Sequence, residues 1–167
     1  MRHVTAFAIG LWAGPSSASE LTVRFVEGAP KDRFVIEAGV ACGVGPAEIV
    51  IDMADTAGKL IFDVTAAGAG VQVFQPLEVV AGADRLRAAP VVRDGDRVVT
   101  LALAELGAAE TVAFTVDVDD TVGGREITVE DSEILGATVS LVQGGVTWTA
   151  AFDGNAEARL TVADCPS

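Results

Sequence analysis

The chain lacks the side chains on which many enzymes and metal centres depend. It has one histidine, His3, and no tyrosine among its 167 residues. Serine and cysteine nucleophiles rely on a neighbouring imidazole as their base, and we expect His3 to be removed with the segment described below. One mature chain acting alone is therefore excluded from Ser–His–Asp and Cys–His catalysis. Zinc, copper and haem sites that need imidazole ligands are excluded with it.

Basic residues are also scarce. Lys and Arg total 11 against 24 Asp and Glu, so the formal net charge is −13. Nucleic-acid binding depends on lysine and arginine side chains that neutralise phosphates. We therefore expect neither nucleic acid nor an anionic membrane surface as a partner. A strongly acidic chain favours divalent cations and basic partners instead.

The N-terminal segment predicts a secretory signal peptide. Met1-Arg2-His3 is a short basic start, residues 4–13 are apolar, and small residues lead up to a cleavage site before Ser19. The alternative, a membrane-anchoring first helix, would need about 20 apolar residues. We therefore expect residues 1–18 to be the signal peptide. Residues 19–167 would then form one secreted or periplasmic domain of net charge −14, without membrane insertion after cleavage.

Cysteine usage points to the same compartment. The chain has two cysteines, Cys42 and Cys165. In an oxidising compartment a lone pair predicts a disulfide, which would close a long loop and tie the C-terminus to the domain. Two separate buried thiols are the alternative.

Apolar and polar residues alternate almost throughout the chain, which is typical of half-buried β-strands. Gly-, Pro- and Asp-containing turn signals separate these runs at the spacing of an all-β sandwich. We predict a two-layer antiparallel β-sandwich of about ten strands. The segment 99–114 resembles an element of immunoglobulin-like modules in which Leu106 plugs the sandwich before a turn at Gly107. This favours an Ig-like arrangement, with a jelly roll as the alternative.

The densest group of acidic residues comprises Asp117, Asp119 and Asp120. Asp117 and Asp119 share one strand face, and Asp120 follows at the strand end. Hard carboxylate oxygens suit calcium, so these three residues are candidate calcium ligands. The alternative is a solvated acidic face, for which the same alternation suffices. We assign no catalytic residue, and Asp94-Gly95-Asp96 predicts a tight turn.

The few aromatic residues bear on sugar binding, which uses exposed aromatic platforms. Trp148 shares its strand parity with Ala150 and Phe152, which predicts a core position. Phe74 breaks the parity of Val71 and Val73 and is expected to be exposed. One exposed phenylalanine gives little support to a carbohydrate site.

Several segments together resemble small secreted bacterial proteins known as aggregation factor core proteins. The resemblance covers about residues 20–165, and no functional residue transfers from it. The segments that carry it are residues 21–34, 45–52, 60–63, 71–76, 93–96 and 114–121.

The resemblance implies adhesion and calcium-dependent aggregation. We expect a non-enzymatic domain for adhesion, aggregation or matrix association. Its partner would be an extracellular or cell-surface protein or glycan, and calcium is the one candidate cofactor. The alternatives are a carbohydrate-binding or glycan-active domain and a periplasmic structural subunit.

The signal peptide is directly testable. N-terminal sequencing of the exported protein should begin at Ser19 or Glu20, because cleavage follows the small residues before them. An exported form that retains Met1 would contradict this prediction.

Overall fold

The predicted alternation folds into β-strands nearly everywhere that the structure, a computed structural model, describes the chain: residues 18–67, 74–122 and 129–162. These residues contain one short 3-10 turn, Ala83–Arg85, and no helix long and apolar enough to cross a membrane. The strands are β1 (Ser19–Val26), β2 (Asp32–Ala38), β3 (Ala47–Asp52), β4 (Ile61–Phe62), β5 (Glu78–Ala81), β6 (Val98–Leu103), β7 (Thr111–Val116), β8 (Val118–Asp119), β9 (Thr138–Gln143), β10 (Val146–Ala151) and β11 (Glu157–Val162).

The strands form two main antiparallel sheets. The five-stranded sheet has the order β11-β1-β2-β7-β5, and the four-stranded sheet has the order β10-β9-β3-β6. A small third sheet pairs β4 with β8. The prediction of an all-β, antiparallel sandwich is confirmed, with eleven strands in the described residues. The finer Ig-like assignment stays a prediction.

Both main sheets turn their apolar residues into one core. On β1 the residues Leu21, Val23 and Phe25 are buried, and they alternate with residues that face outward. Three phenylalanines form a single row across neighbouring strands, because Phe25 of β1 is in register with Phe34 of β2, and Phe34 with Phe114 of β7. The Phe34 ring lies 5.1 Å from that of Phe114, nearly parallel to it, and 5.2 Å from that of Phe25. This row anchors the five-stranded sheet to the core.

The turns before and after β10 form where the sequence pattern places them. Gly144 and Gly145 both have positive φ, as a tight two-residue hairpin between β9 and β10 requires. The turn after Phe152 is also present, and the Asp153 carboxylate accepts hydrogen bonds from the amides of Asn155 and Glu157.

The predictions for the aromatic residues differ in outcome. Phe74 is 39% exposed, as predicted. Trp148 packs against the core but is only half-buried, because β10 is the edge strand of its sheet. The prediction of a core tryptophan is therefore only partly confirmed.

Some predictions on the termini fall outside the described residues. Residues 1–17 lie outside them, and β1 begins at Ser19, the residue expected to follow cleavage. Cys42 lies in the loop after β2, where its carbonyl oxygen accepts a hydrogen bond from the Ser19 hydroxyl at 2.9 Å. Cys165 also lies outside the described residues, so the Cys42–Cys165 disulfide stays a prediction.

The phenylalanine row gives a test of the core. Phe34→Ala should lower the free energy of unfolding by about 3–5 kcal/mol, because a fully buried ring is lost and a cavity remains. Phe74→Ala removes the same side chain from an exposed position and should change it by less than about 1 kcal/mol. Urea unfolding followed by Trp148 fluorescence measures both, and equal losses in the two variants would contradict this account of the core.

Candidate functional site

Strict alternation of buried and exposed residues is already lost within β7. All residues from Val112 to Asp119 are buried, at 0–9% exposure. β7 belongs to the five-stranded sheet, whereas β8 pairs with β4, so the chain moves from one sheet to another at Asp117. At such a crossing both faces of the strand are covered. Asp117 and Asp119 are therefore enclosed although their parity is that of an outer face.

Asp63 lies beside this crossing and is 2% exposed. Three chain segments close around it through backbone hydrogen bonds. The Asp63 amide donates to the Asp117 carbonyl at 3.1 Å, the Gln75 amide to the Asp63 carbonyl at 3.3 Å, and the Asp117 amide to the Gln75 carbonyl at 3.3 Å. Asp63 and its neighbour Phe62 are both buried, so the alternation of the sequence pattern does not report the burial of Asp63.

Asp32, the first residue of β2, closes another side of the same region and is 2% exposed. One of its carboxylate oxygens accepts from the Gly28 amide at 3.0 Å, and the other from the Val118 amide at 3.1 Å. Asp32 thus braces the turn between β1 and β2 and ties it to β8.

The predicted tight turn at Asp94-Gly95-Asp96 is confirmed, and it also borders the site. The turn is attached to β4, since the Phe62 amide donates to the Asp96 carbonyl and the Gly95 amide to the Phe62 carbonyl, both at 2.9 Å. The Asp94 carboxylate accepts from the Val64 and Thr65 amides at 2.7 and 2.8 Å, and from the Thr65 hydroxyl. These bonds, the hydroxyl first, lower the pKa of Asp94.

Asp32, Asp63, Asp117 and Asp119 form what we call the aspartate cluster. Each lies within the electrostatic range of at least one other member, and the Asp63 carboxyl is in hydrogen-bonding reach of those of Asp119 and Asp94. None of the charges identified as acting on Asp32, Asp63 or Asp117 is positive. The cluster therefore concentrates acidic groups in a buried region.

Burial raises the pKa of each of these three carboxyls, and neighbouring acids add to the effect. Burial, then the charges of Asp119, Asp32 and Asp63, raises the pKa of Asp117 to about 7. Burial, opposed by the Gly28 and Val118 amides and reinforced by Asp119, raises the pKa of Asp32 to about 7. Burial and the charge of Asp119 raise the pKa of Asp63 to about 6.

Two oxygens of the cluster have no hydrogen-bond partner. They are Oδ1 of Asp63 and Oδ2 of Asp117, both buried. A buried carboxylate oxygen without a donor loses its hydration without compensation. In native structures such atoms usually bond an ordered water or an ion, or belong to a strained or functional site.

The outcome differs among the candidate calcium ligands that the sequence predicted. The solvated-face alternative is wrong for Asp117 and Asp119, which are 5% and 1% exposed. The structure groups these two with Asp32 and Asp63, which the sequence did not single out, whereas Asp120 is half-buried and is not among the charges that act on Asp117. Within residues 18–67, 74–122 and 129–162, no three His, Cys, Asp or Glu side chains are arranged to hold a metal ion.

Two cavities lined by described residues, of about 250 and 340 Å³, lie away from the cluster. The smaller is lined by residues 42–45 and 105–108, and the larger by residues of β1, of the end of β2 and of the following loop, with Ala109. Neither contains a residue of the aspartate cluster, so neither brings a substrate-sized cleft to its carboxylates.

The raised pKa values predict an unusual pH dependence of the metal-free protein. Between pH ~4 and ~7 the folded state holds protons on Asp32, Asp63 and Asp117 that the unfolded state, with ordinary carboxyls, has released. The free energy of unfolding must therefore fall as pH rises through this window. Urea unfolding at pH 5 and pH 7.5 should show the protein to be less stable at pH 7.5, and Asp117→Asn should reduce the difference. Stability that is equal or higher at pH 7.5 would contradict the raised values.

Comparison with known proteins adds no assignment to this geometry. No protein family, curated protein sequence or solved structure matches the chain.

Proposed function

We propose that this protein is an exported, non-enzymatic β-sandwich that binds a divalent cation, calcium in the first place, at the aspartate cluster, and that it acts in adhesion, aggregation or matrix association. The observation that carries the cation is the pair of buried carboxylate oxygens on Asp63 and Asp117 that lack a hydrogen-bond partner.

Electrostatics favours a cation there. Taking one ionised carboxylate out of water is costly unless it is paired, and the cluster places several close together. Burial and, after it, repulsion from the neighbouring acids both favour protonation, which is why the pKa of Asp117 rises to about 7. A divalent cation would neutralise two charges at once and would coordinate the two oxygens that lack a hydrogen-bond donor. Protons and a cation would therefore compete for the same carboxylates, since either reduces the repulsion between them.

Calcium fits the donor set better than other common metals. It takes six to eight oxygen ligands in variable geometry and accepts carboxylates, backbone carbonyls and water. The described chain offers only oxygen donors at this place, and Asp63 and Asp117 are the residues that would hold the ion. Since the side chains of the described residues are not arranged around one ion in the ion-free protein, we expect binding to draw the carboxylates of Asp63 and Asp117 together.

Burial also argues against a catalytic role for these acids. Paired carboxylates can hydrolyse glycosides, but a substrate must reach them. Asp63, Asp117 and Asp119 are 1–5% exposed, which leaves access for an ion and not for a sugar ring. Among the described aromatic residues only Phe74 is exposed, so the carbohydrate-binding alternative lacks an aromatic platform.

The adhesion part of the proposal rests on the sequence. It is supported by the resemblance to aggregation factor core proteins, by the N-terminal segment and by the acidic charge. A cation at the β7–β8 crossing would join β2, β4 and β8, and so would rigidify the end of the sandwich where they meet. The partner would be a cell-surface or extracellular protein or glycan.

Calcium should therefore stabilise the folded protein. A dissociation constant in the range of extracellular modules, ~0.1–1 mM, would give about 1.4–2.7 kcal/mol at ~10 mM calcium. For a domain of this size that corresponds to a rise in melting temperature of about 3–10 °C. Thermal melting at pH 7.5 in calcium and in chelator measures the difference.

Variants separate a ligand role from a structural one. Asp63→Asn and Asp117→Asn should abolish the calcium response, yet in chelator they should be at least as stable as the native protein, because each removes a buried repulsive charge. Asp96→Asn is the matched control, since it makes the same change in the neighbouring turn outside the cluster, and it should keep the full response. Identical melting of the native protein in calcium and chelator would refute the cation site.

A further inference from the structure

The basic residues of this acidic chain are concentrated in one segment, residues 85–97. The segment holds four of the chain's 11 basic residues and only two acids. The basic residues are Arg85, Arg87, Arg93 and Arg97, and residues 85–93 contain no acid at all. In a chain of net charge −13, this segment is therefore a local region of positive charge.

The fold attaches the segment to both ends of β6. Near one end of β6, Leu86 forms an antiparallel bridge with Leu103, and the Arg87 amide donates to the Ala102 carbonyl at 2.8 Å. Arg97 directly precedes the other end of β6 and lies five positions before Ala102. Arg87 and Arg97 are therefore separated by about 17 Å along the strand direction.

Three of the four arginines have no carboxylate partner among the described residues. No ion pair there includes Arg87, Arg93 or Arg97. Arg87 and Arg93 are exposed, and Arg97 is half-buried. The fourth arginine, Arg85, is paired with Glu110 at 2.7 Å. We call Arg87, Arg93 and Arg97 the arginine strip.

The acids of the segment bond to backbone groups instead of to the arginine strip. The Asp94 carboxylate accepts two amides of the loop after β4, and the Asp96 carboxylate accepts the Arg93 amide at 2.8 Å. The Arg87 Nε–H donates to the Leu103 carbonyl at 3.0 Å, which directs its side chain. A guanidinium has five N–H donors, and this bond uses one of them. The strip thus offers charged donors that the segment's own acids do not neutralise.

The form of the strip favours an extended anionic ligand. Guanidinium groups bind carboxylates and other oxyanions through paired, charge-assisted hydrogen bonds. The strip follows the length of β6, and neither of the two cavities contains one of its residues. Between Arg87 and Arg93 the exposed residues are Ala88, Ala89 and Val91, which are short enough to let a ligand lie close to the backbone. A polymer with repeated anionic groups fits this arrangement better than a single small anion.

The segment does not suit a nucleic acid. Affinity for nucleic acid grows with the number of phosphates that basic residues neutralise, and single strands are also held by stacking of their bases on aromatic rings. The strip has three arginines, and residues 85–97 contain no aromatic residue.

The segment does not suit a protein partner either. Protein interfaces of ordinary size bury about 800 Å² on each partner around an apolar centre. Val91, at 80% exposure, is the one large apolar residue exposed between residues 85 and 97. A globular acidic partner would also be repelled by the net negative charge of the rest of this chain, to which a thin polymer lying along β6 is less exposed.

We propose that the arginine strip is a binding site for an anionic polysaccharide, one that carries carboxylate or sulfate groups along its chain. The proposal names a partner class for the exported protein and so rests on the export proposed above. It does not depend on the cation, since none of the arginines belongs to the aspartate cluster.

The test is binding of the mature protein, in chelator, to immobilised dextran sulfate and polygalacturonate, with uncharged dextran as the control polymer. Biolayer interferometry at ~0.05 and ~0.15 M salt gives the dissociation constants. The native protein should bind one or both charged polymers and not dextran. Binding should weaken at the higher salt concentration, because the ions screen exposed charges.

Two double variants with the same change of charge identify the site. Arg87→Gln/Arg93→Gln should raise the dissociation constant at least about tenfold, because two charge-assisted contacts are lost. The matched control is Arg24→Gln/Arg159→Gln, which removes two arginines that are paired with glutamates on the five-stranded sheet, and it should change the constant less than about twofold. Arg93→Gln alone should still weaken binding about threefold or more, which keeps the test valid if the change at Arg87 disturbs the fold.

Three results would overturn the proposal. The first is a native protein that binds neither charged polymer at the lower salt concentration. The second is equal weakening in the two double variants, because binding would then follow net charge and not the strip. The third is equally tight binding of polyglutamate or oligothymidylate, because the strip would then not select a polysaccharide. Use of chelator separates all three from the outcome of the calcium experiments.

Discussion

Mutual repulsion among enclosed carboxylates is the constraint around which one end of this sandwich is organised. Asp117 lies where the chain leaves the five-stranded sheet for the small sheet of β4 and β8, and Asp63 is joined to it through their backbones. The fold therefore places these side chains together whatever their charge. Because the backbone contacts hold them, the repulsion is relieved by protons or by an ion and not by separation.

The acids in this region differ in whether their carboxylate oxygens accept hydrogen bonds. Asp32 accepts two backbone amides and braces the β1–β2 turn, and Asp94 accepts two amides and a hydroxyl. Both carboxylates therefore hold the loops around the cluster in place. Asp63 and Asp117 each keep one buried oxygen without a donor. Rigid, satisfied acids around unsatisfied ones are the arrangement expected of a site whose frame is built before its ligand arrives.

The sequence predicts the fold better than the site, and particular residues show why. Alternation along Leu21, Val23 and Phe25 reports which face meets the core, because β1 lies inside one sheet. At Asp63 and Asp117 the same alternation fails, since strands that cross between sheets are covered on both faces. The convergence of Asp32 with Asp117 joins residues 85 positions apart, and a single sequence carries no local signal of it. The half-burial of Trp148 was missed for a similar reason, because strand order decides which strand lies at an edge.

The most direct test of the proposed cation site is a crystal structure of the mature protein grown at neutral pH with calcium and repeated with a lanthanide in its place. We expect one peak of anomalous density in the aspartate cluster, at about 2.3–2.6 Å from carboxylate oxygens of Asp63 and Asp117 when calcium is bound. The same peak should be absent from crystals of Asp117→Asn. A cluster free of metal density at saturating calcium, with its carboxyls hydrogen-bonded to one another through shared protons, would contradict the account.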